Sequence, residues 1–425
     1  MLAVAAGVIR LGGGERAAAS TRHAPAAPRH LPRAVYVPGG HWLTTWGASP
    51  QAPIPGNLSK AGFVDQTVRE IAFASVGGPM VRVRLTNAFG STPLRIARAS
   101  IAVQRHRAAL APGTLRALTF AGRSWVIIPA GGAMVSDPVV LPVRPALHLA
   151  VSLYLRAPTG PATQHTQARQ VNYVAAGGHA LDPTGGAFTT QTASWYLLGG
   201  IDVLASARDR GVVVALGDSI TDGVGAPLNA NARYPNVLAR RFAARAGATM
   251  SVVDAGIGGN RVLDATACCG EGAVSRFRRD VLGQTGVRAV ILLEGVNDIG
   301  QSQSRGPFTA PHTPVSALQI VEGYARIIAL AHAARLKVFG ATLTPFAGAR
   351  YWTPAGEAER DAVNRWILDS RAFDGVINFA AVLADPANPE WLAPAFDSGD
   401  HLHPDAAGYR AMGRAVNLAM LLRAG

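Results

Sequence analysis

The stretch Gly211-Val-Val-Val-Ala-Leu-Gly-Asp-Ser-Ile-Thr-Asp-Gly223 decides the fold of this chain. Val212 to Leu216 form a short β-branched apolar run with no polar alternation, the pattern of a central parallel strand covered by helices on both faces. The run stops abruptly at Gly217-Asp218-Ser219, where a hydroxyl stands on a tight loop with Asp222, Gly223 and Gly225 behind it. In open α/β sheets function gathers at the carboxyl ends of strands, so Ser219 is a candidate nucleophile. Gly-Asp-Ser is also ordinary turn chemistry, and its meaning depends on what the rest of the chain brings to the same edge.

Downstream, the hydrophobic pattern alternates between strand and helix. Strands are expected at Val212–Leu216, Ser251–Ala255, Ala289–Glu294, Val338–Thr344 and Gly375–Phe379. Helices are expected at about Tyr234–Ala246, Val274–Leu282, Val315–Leu336, Ala355–Ser370 and Asp405–Leu422. This alternation predicts a doubly wound α/β fold, a parallel sheet of about five strands with right-handed crossovers. In His403-Pro404-Asp405, Pro at a first helical turn with Asp behind it signals the start of the last helix and places His403 at its mouth.

Upstream, the texture is different. Val81, Val83 and Leu85 alternate with Arg82 and Arg84, and Leu149, Val151, Leu153 and Leu155 alternate with Ala150, Ser152 and Tyr154, as half-buried strands do. Further strands are expected at Arg69–Phe73, Leu94–Val103, Leu118–Phe120 and Trp125–Ile128, separated by turns such as Gly77-Gly-Pro79. Many short strands at near-regular spacing predict an antiparallel β-sandwich-like domain. With 425 residues the chain exceeds one ordinary core. The expected division is a leader or disordered arm at 1–40, a β-rich accessory domain at 41–205 and a catalytic domain at 206–425.

The 49% hydrophobic and 16% charged composition is globular. A net charge of +14 would raise nucleic acid as a partner, but the excess is arginine scattered along the chain, with Lys60 and Lys337 the only lysines. The densest pieces, Arg240-Arg241 and Arg276-Phe-Arg-Arg279, fall on expected helices as outward faces, and no nucleic-acid partner is expected. The two cysteines, Cys268 and Cys269, are adjacent, which provides neither a disulfide framework nor a metal constellation. Two free thiols in a loop are expected, with a vicinal disulfide as the alternative. No metal or other cofactor is implied. Leu2–Ile9 followed by Ala17-Ala-Ala-Ser20 faintly resembles a secretory signal, atypical or truncated, so a secreted or periplasmic location is expected. No apolar stretch is long enough for a membrane span.

A serine becomes nucleophilic when an imidazole takes its proton and a carboxylate holds that imidazole. Asp397-Ser-Gly-Asp-His-Leu-His-Pro404 supplies both groups before the last helix. Asp400 and His403 are three apart, within reach in a turn, and His401 is the competitor. Acyl transfer also needs donors aimed at the developing oxyanion. After the second strand, Gly256-Ile-Gly-Gly259-Asn260 exposes backbone N–H groups, and after the third, Glu294-Gly-Val-Asn297-Asp298 offers an amide. All four pieces fall on one edge of one sheet.

Together they resemble the SGNH, or GDSL, family of serine esterases and lipases. The resemblance runs from about residue 211 to the C-terminus and implies a flavodoxin-like α/β sheet. It implies Ser219 as nucleophile, His403 and Asp400 as its partners, and an oxyanion hole of the Ser219 N–H, the Gly259 N–H and the Asn297 amide. Gly256 and Gly258 are rivals for the role of Gly259. The front half, through His41-Trp-Leu-Thr-Thr-Trp-Gly-Ala-Ser-Pro50 and Val81-Arg-Val-Arg-Leu-Thr-Asn-Ala-Phe-Gly90, together with Glu294-Gly-Val-Asn-Asp-Ile-Gly300, resembles a bacterial two-domain subgroup linked to xylan-processing esterases. The expected reaction is therefore removal of a short acyl group, acetyl foremost, from carbohydrate through an acyl-enzyme. A lipase or arylesterase, or a carbohydrate-binding protein with little catalysis, is the alternative. Asp218, His165 and Trp195 are candidate substrate-binding residues, the last two either as a sugar platform or as packed core.

Overall fold

The computed structural model describes residues 37–303 and 309–424. Nearly all of the expected leader lies outside the described residues. In the front half the main strands are β1 (His41–Gly47), β2 (Gln66–Phe73), β3 (Gly78–Thr86), β4 (Arg98–His106), β5 (Val139–Val143), β6 (His148–Leu155), β7 (Asn172–Ala176) and β8 (Leu198–Ala205). They pair antiparallel in two sheets, ordered β1–β8–β3–β5 and β7–β2–β6–β4, with shorter strands at the margins. The alternation read in the sequence is the alternation of faces. Leu149, Val151, Leu153 and Leu155 of β6 join Val81, Val83 and Leu85 of β3 in one apolar cluster.

The rear half is a five-stranded sheet of β9 (Asp209–Gly217), β10 (Thr249–Gly256), β11 (Val287–Leu293), β12 (Lys337–Ala341) and β13 (Gly375–Ile377). Every pairing is parallel and the order is β10–β9–β11–β12–β13. In this 2-1-3-4-5 order β9 is flanked on both sides, which is why Val212–Leu216 are all fully buried and carry no polar residue. Helices that matter for the site are α1 (Ser219–Asp222), α2 (Tyr234–Ala243), α3 (Ala273–Phe277), α4 (Val296–Gln303), α5 (Ala317–Ala333), α6 (Pro354–Asp369), α7 (Ala406–Ala415) and α8 (Leu418–Leu422).

Some expected elements are cut differently, each for a local reason. The final helix is two helices, because the Asn417 side chain accepts from Ala419 N and Met420 N and starts a new helix there. Its first turn is capped by Asp405, which accepts from Ala407 N and Gly408 N, so Pro404 precedes the cap rather than occupying the first turn. The expected helix at 274–282 is one α turn followed by a wider turn closed by Gly283 N to Arg278 O.

The two halves meet along β1 and β10. Ser251 Oγ donates to Thr44 O at 2.5 Å and lies 2.6 Å from Ser75 Oγ. Thr44 N donates to Thr285 O, and Thr285 N to Thr44 Oγ1. Residues Val35–Gly425 make one compact unit in which a single apolar cluster runs from Leu43 and Val83 through Val214 and Leu292. No helix among the described residues is long and apolar enough to cross a membrane.

Candidate active site

The end of β9 turns sharply into α1, and two glycines make the turn. A Cβ on Gly217 would lie 2.1 Å from Thr221 Oγ1, and one on Gly256 would lie 2.3 Å from Asp222 N. Their absence lets the first turn of α1 rest on the end of β10. Asp218 is the N-cap of that turn and accepts from Ile220 N at 2.8 Å. It is buried, so the expected contact of Asp218 with substrate is replaced by a structural one. Burial pushes its carboxyl up to about 6, against the Ile220 N–H and the charges of His403 and Arg276.

Ser219 opens α1. Its Oγ lies 2.8 Å from His403 Nε2, and His403 Nδ1 lies 2.6 Å from Asp400 Oδ2. A nitrogen facing a carboxylate must carry the proton, so Nδ1 is the N–H and Nε2 is free to accept from the serine hydroxyl. Asp400 is itself fixed: its Oδ1 accepts from His403 N at 2.8 Å and Leu402 N at 3.0 Å. Partial burial raises its carboxyl, but the His403 ring and backbone hydrogen bonds, the charge of His403 and the Leu402 N–H outweigh this and hold it well below the usual carboxylate range.

The loops that carry Ser219, Gly259 and Asn297 follow the parallel strands β9, β10 and β11 on this edge, and hydrogen bonding separates the glycine rivals. Gly256 N donates to Asp254 Oδ1 and Gly258 N to Asp222 Oδ2. Gly259 N has no acceptor among the described residues, nor has Ser219 N. Gly259 sits at φ +75°, and a Cβ there would meet Cys269 Sγ at 2.5 Å, so the position suits glycine alone. Asn297, in the first turn of α4, donates one amide N–H to Asn260 O at 3.0 Å. Its Oδ1 accepts from Gln301 Nε2 at 3.1 Å and Tyr351 Oη at 3.2 Å, which fixes the amide's orientation. Gln301 also donates to Gly259 O, bracing both donor residues at once.

Beneath these loops lies a residue assigned in the sequence to an outward face. Arg276 is fully buried. It donates to Gly217 O at 2.9 Å, Ala255 O at 2.7 Å and Asn260 Oδ1 at 2.8 Å, and pairs with Asp280 and Glu294. One guanidinium thereby ties the ends of β9 and β10 to the donor loop, a use of its fork of five N–H groups that lysine could not match. Nothing in a basic run distinguishes such an arginine from a solvated one; the signal lies in the carbonyls it meets. Burial, then the charge of Asp218, drives Glu294 well above its ordinary value, with Arg276 opposing.

His165 and Trp195 are corrections. Both are buried, at 4% exposure each, so neither presents a platform to a sugar. Trp195 packs edge-on to Trp46 and donates its indole N–H to Ile71 O. His165 lies 3.0 Å from Ser49 O through Nδ1 and 3.1 Å from Asp222 Oδ1 through Nε2. Both neighbours are acceptors, so both ring nitrogens are donors. Burial lowers the imidazole, but the Asp222 charge and these hydrogen bonds raise it overall. Since Asp222 Oδ2 accepts from Gly258 N, the front half reaches the donor loop through this histidine. The competitor His401 pairs with Asp397, its Nδ1 2.6 Å from Oδ2, and not with Ser219. Cys268 and Cys269 form a vicinal disulfide instead of free thiols, in the tight turn closed by Gly270 N to Thr266 O.

A serine hydroxyl, a carboxylate-held imidazole and unspent backbone N–H groups at the mouth of a parallel sheet define an α/β serine hydrolase. Residues 215–411 match the GDSL-like Lipase/Acylhydrolase family, so this part of the chain is a GDSL-like acylhydrolase domain and the protein is an ester hydrolase. Solved structures similar to it include a lipase/acylhydrolase from Enterococcus faecalis, 20% identical over 50% of this chain and 94% of that one, with a TM-score of 0.37. A GDSL-like lipase from Bacteroides thetaiotaomicron is 19% identical over 50% and 89%, with a TM-score of 0.36. An acetyl xylan esterase is 21% identical over 48% and 96%, with a TM-score of 0.35. No curated protein matches the chain.

Proposed function

We propose that the protein removes short acyl groups, acetyl foremost, from carbohydrate through an acyl-enzyme on Ser219. The observation that carries the chemistry is the unbroken chain from Asp400 Oδ2 to His403 at 2.6 Å and from His403 to Ser219 Oγ at 2.8 Å, ending beside N–H groups with no other use. Ser219 Oγ attacks the ester carbonyl while its proton passes to His403 Nε2. The imidazolium stays paired with Asp400 through Nδ1–H. The carbonyl oxygen, now an alkoxide, takes hydrogen bonds from Ser219 N, Gly259 N and the second N–H of the Asn297 amide. Collapse expels the alcohol, which receives the proton from Nε2. Water then attacks the acyl-enzyme with His403 again as base, and the carboxylic acid leaves.

The preference for a short acyl group rests on Tyr351. Its ring lies so close to Gly300 that a Cβ there would be 2.1 Å away, and its hydroxyl is on Asn297, so it fills the space beside the amide donor. The carbohydrate part rests on the resemblance of the front half to xylan-associated esterases. A polymeric substrate places the work outside the cytoplasm, in keeping with a disulfide at Cys268–Cys269. The test compares acetate release from acetylated xylan with hydrolysis of aryl esters of increasing chain length, by wild type and Ser219→Ala. Acetyl preference in wild type and loss of turnover on every ester in Ser219→Ala are the expected results. Turnover by folded Ser219→Ala, or faster cleavage of long chains, would overturn the assignment.

A further inference from the structure

Of the seven tryptophans in this chain, six are buried or half-buried, and one, Trp391, is exposed at 42%. A single exposed apolar side chain is ordinary on a protein surface, and what sets Trp391 apart is how its ring is held. Trp391 packs on Gly348, in the segment that follows the carboxyl end of β12, and β12 runs parallel to β9, which ends just before Ser219. The Trp391 loop is pinned to the segment that follows β12, where Ala347 N donates to Glu390 O at 2.9 Å, and is closed on itself by Asp385 N to Trp391 O and Trp391 N to Asn388 O. Beneath the ring is Gly348, at φ +85°, where a Cβ would come within 2.5 Å of the indole. At 5.5 Å, centroid to centroid, the ring of His401 meets it at 72°. Glycine below and histidine at the side hold the indole in place while leaving much of it in solvent.

His401 is prepared in the same way. Asp397 Oδ2 takes its Nδ1–H at 2.6 Å and Asp397 Oδ1 takes its backbone N–H at 3.1 Å, which leaves Nε2 as an acceptor. The hairpin that carries it is shared with the catalytic pair: Ser398 N donates to His403 O, and Asp397 bridges Pro404. Two Asp–His pairs are thus interleaved on one hairpin, one aimed at Ser219 and the other beside Trp391. Between the Asp397–His401 pair and the loop at 385–394 is a cavity of about 390 Å³, lined by Asp385, Asn388, Trp391, Leu392, Asp397 and His401.

We propose that Trp391 and His401 form a sugar subsite that holds the carbohydrate part of the ester. The proposal rests on the carbohydrate reading above. A pyranose ring presents an apolar C–H face and a rim of hydroxyls; the indole suits the first, and His401 Nε2 with the Asn388 amide suits the second. An acyl chain would leave the polar groups of this cavity without partners, which disfavours it here. Because the ring and the imidazole are fixed before binding, little ordering is lost when a sugar arrives.

Full-length wild type, Trp391→Ala, Trp391→Phe and His401→Ala are compared on acetylated xylotriose and on 4-nitrophenyl acetate. For Trp391→Ala, kcat/KM on the sugar ester should fall about tenfold more than on the aryl ester, mainly through KM, as loss of one aromatic stacking contact predicts. Trp391→Phe should restore most of the difference, which a change in folding alone would not do. His401→Ala should shift the ratio in the same direction by a smaller factor, and plain xylotriose should inhibit aryl ester hydrolysis by wild type but less by Trp391→Ala. If wild type cleaves acetylated xylotriose and Trp391→Ala loses both activities equally, the subsite falls and the carbohydrate reading stands. If wild type cleaves only the aryl ester, both fall.

Discussion

Replacing Asn297 by alanine removes one of the proposed oxyanion donors and, with it, a small scaffold. The structure separates the two effects. Loss of a donor that acts on the transition state costs about 3–4 kcal/mol, so kcat should fall roughly 10²–10³-fold with little change in KM. The same truncation deletes the hydrogen bonds to Asn260 O, Gln301 and Tyr351, at 3.0, 3.1 and 3.2 Å. At about 1 kcal/mol net apiece, these predict a stability loss of about 2–3 kcal/mol. Asn297→Asp keeps the shape and both acceptor contacts but turns the donor into an acceptor, so its kcat should fall at least as far as that of the alanine variant. Steady-state kinetics on 4-nitrophenyl acetate, with urea midpoints measured on the same samples, test both parts. A change confined to KM, or an aspartate variant faster than the alanine one, would refute Asn297 as an oxyanion donor.

Three further outcomes are expected. His403→Ala should lose nearly all turnover of a small aryl ester while His401→Ala keeps the larger part, because only His403 meets Ser219; the reverse order in the same assay would reassign the base. His165→Gln cannot donate to both Ser49 O and Asp222, and breaking this buried pair should cost about 2–3 kcal/mol in urea denaturation, below the usual 3–5 because Arg233 remains 3.7 Å from Asp222; a midpoint indistinguishable from wild type would contradict the linkage. Asp218 and Asp254 are both raised to about 6 and Asp298 to about 7, all by burial first. Between their ordinary values near 4 and these raised ones the folded state binds more protons than the unfolded one, so the stabilising protons are lost as pH rises. Melting temperature should therefore decline from pH 5 to pH 8, and a rise across that window would show that these carboxyls are not held up.

The sequence by itself determined the parts of this protein that depend on local pattern. An unbroken apolar run marked β9 as a covered parallel strand, alternation marked β3 and β6 as two-faced, and Asp400 and His403 were legible because their contact is made within one turn. Gly259 was legible only as one of three glycines. What singled it out was where the other two N–H groups are spent, on Asp254 and on Asp222. Arg276, His165 and Trp195 lay beyond sequence reasoning for the same physical reason. Burial, and the carbonyls or carboxylates that satisfy a buried donor, belong to the packing of segments far apart in the chain. An arginine in a basic run becomes the tie between β9 and β10 only when Gly217 O and Ala255 O are brought to it. A histidine of the β-rich half becomes the partner of Asp222 only when the two sheets close on each other, and Trp391 stands out only once the other six indoles have been covered.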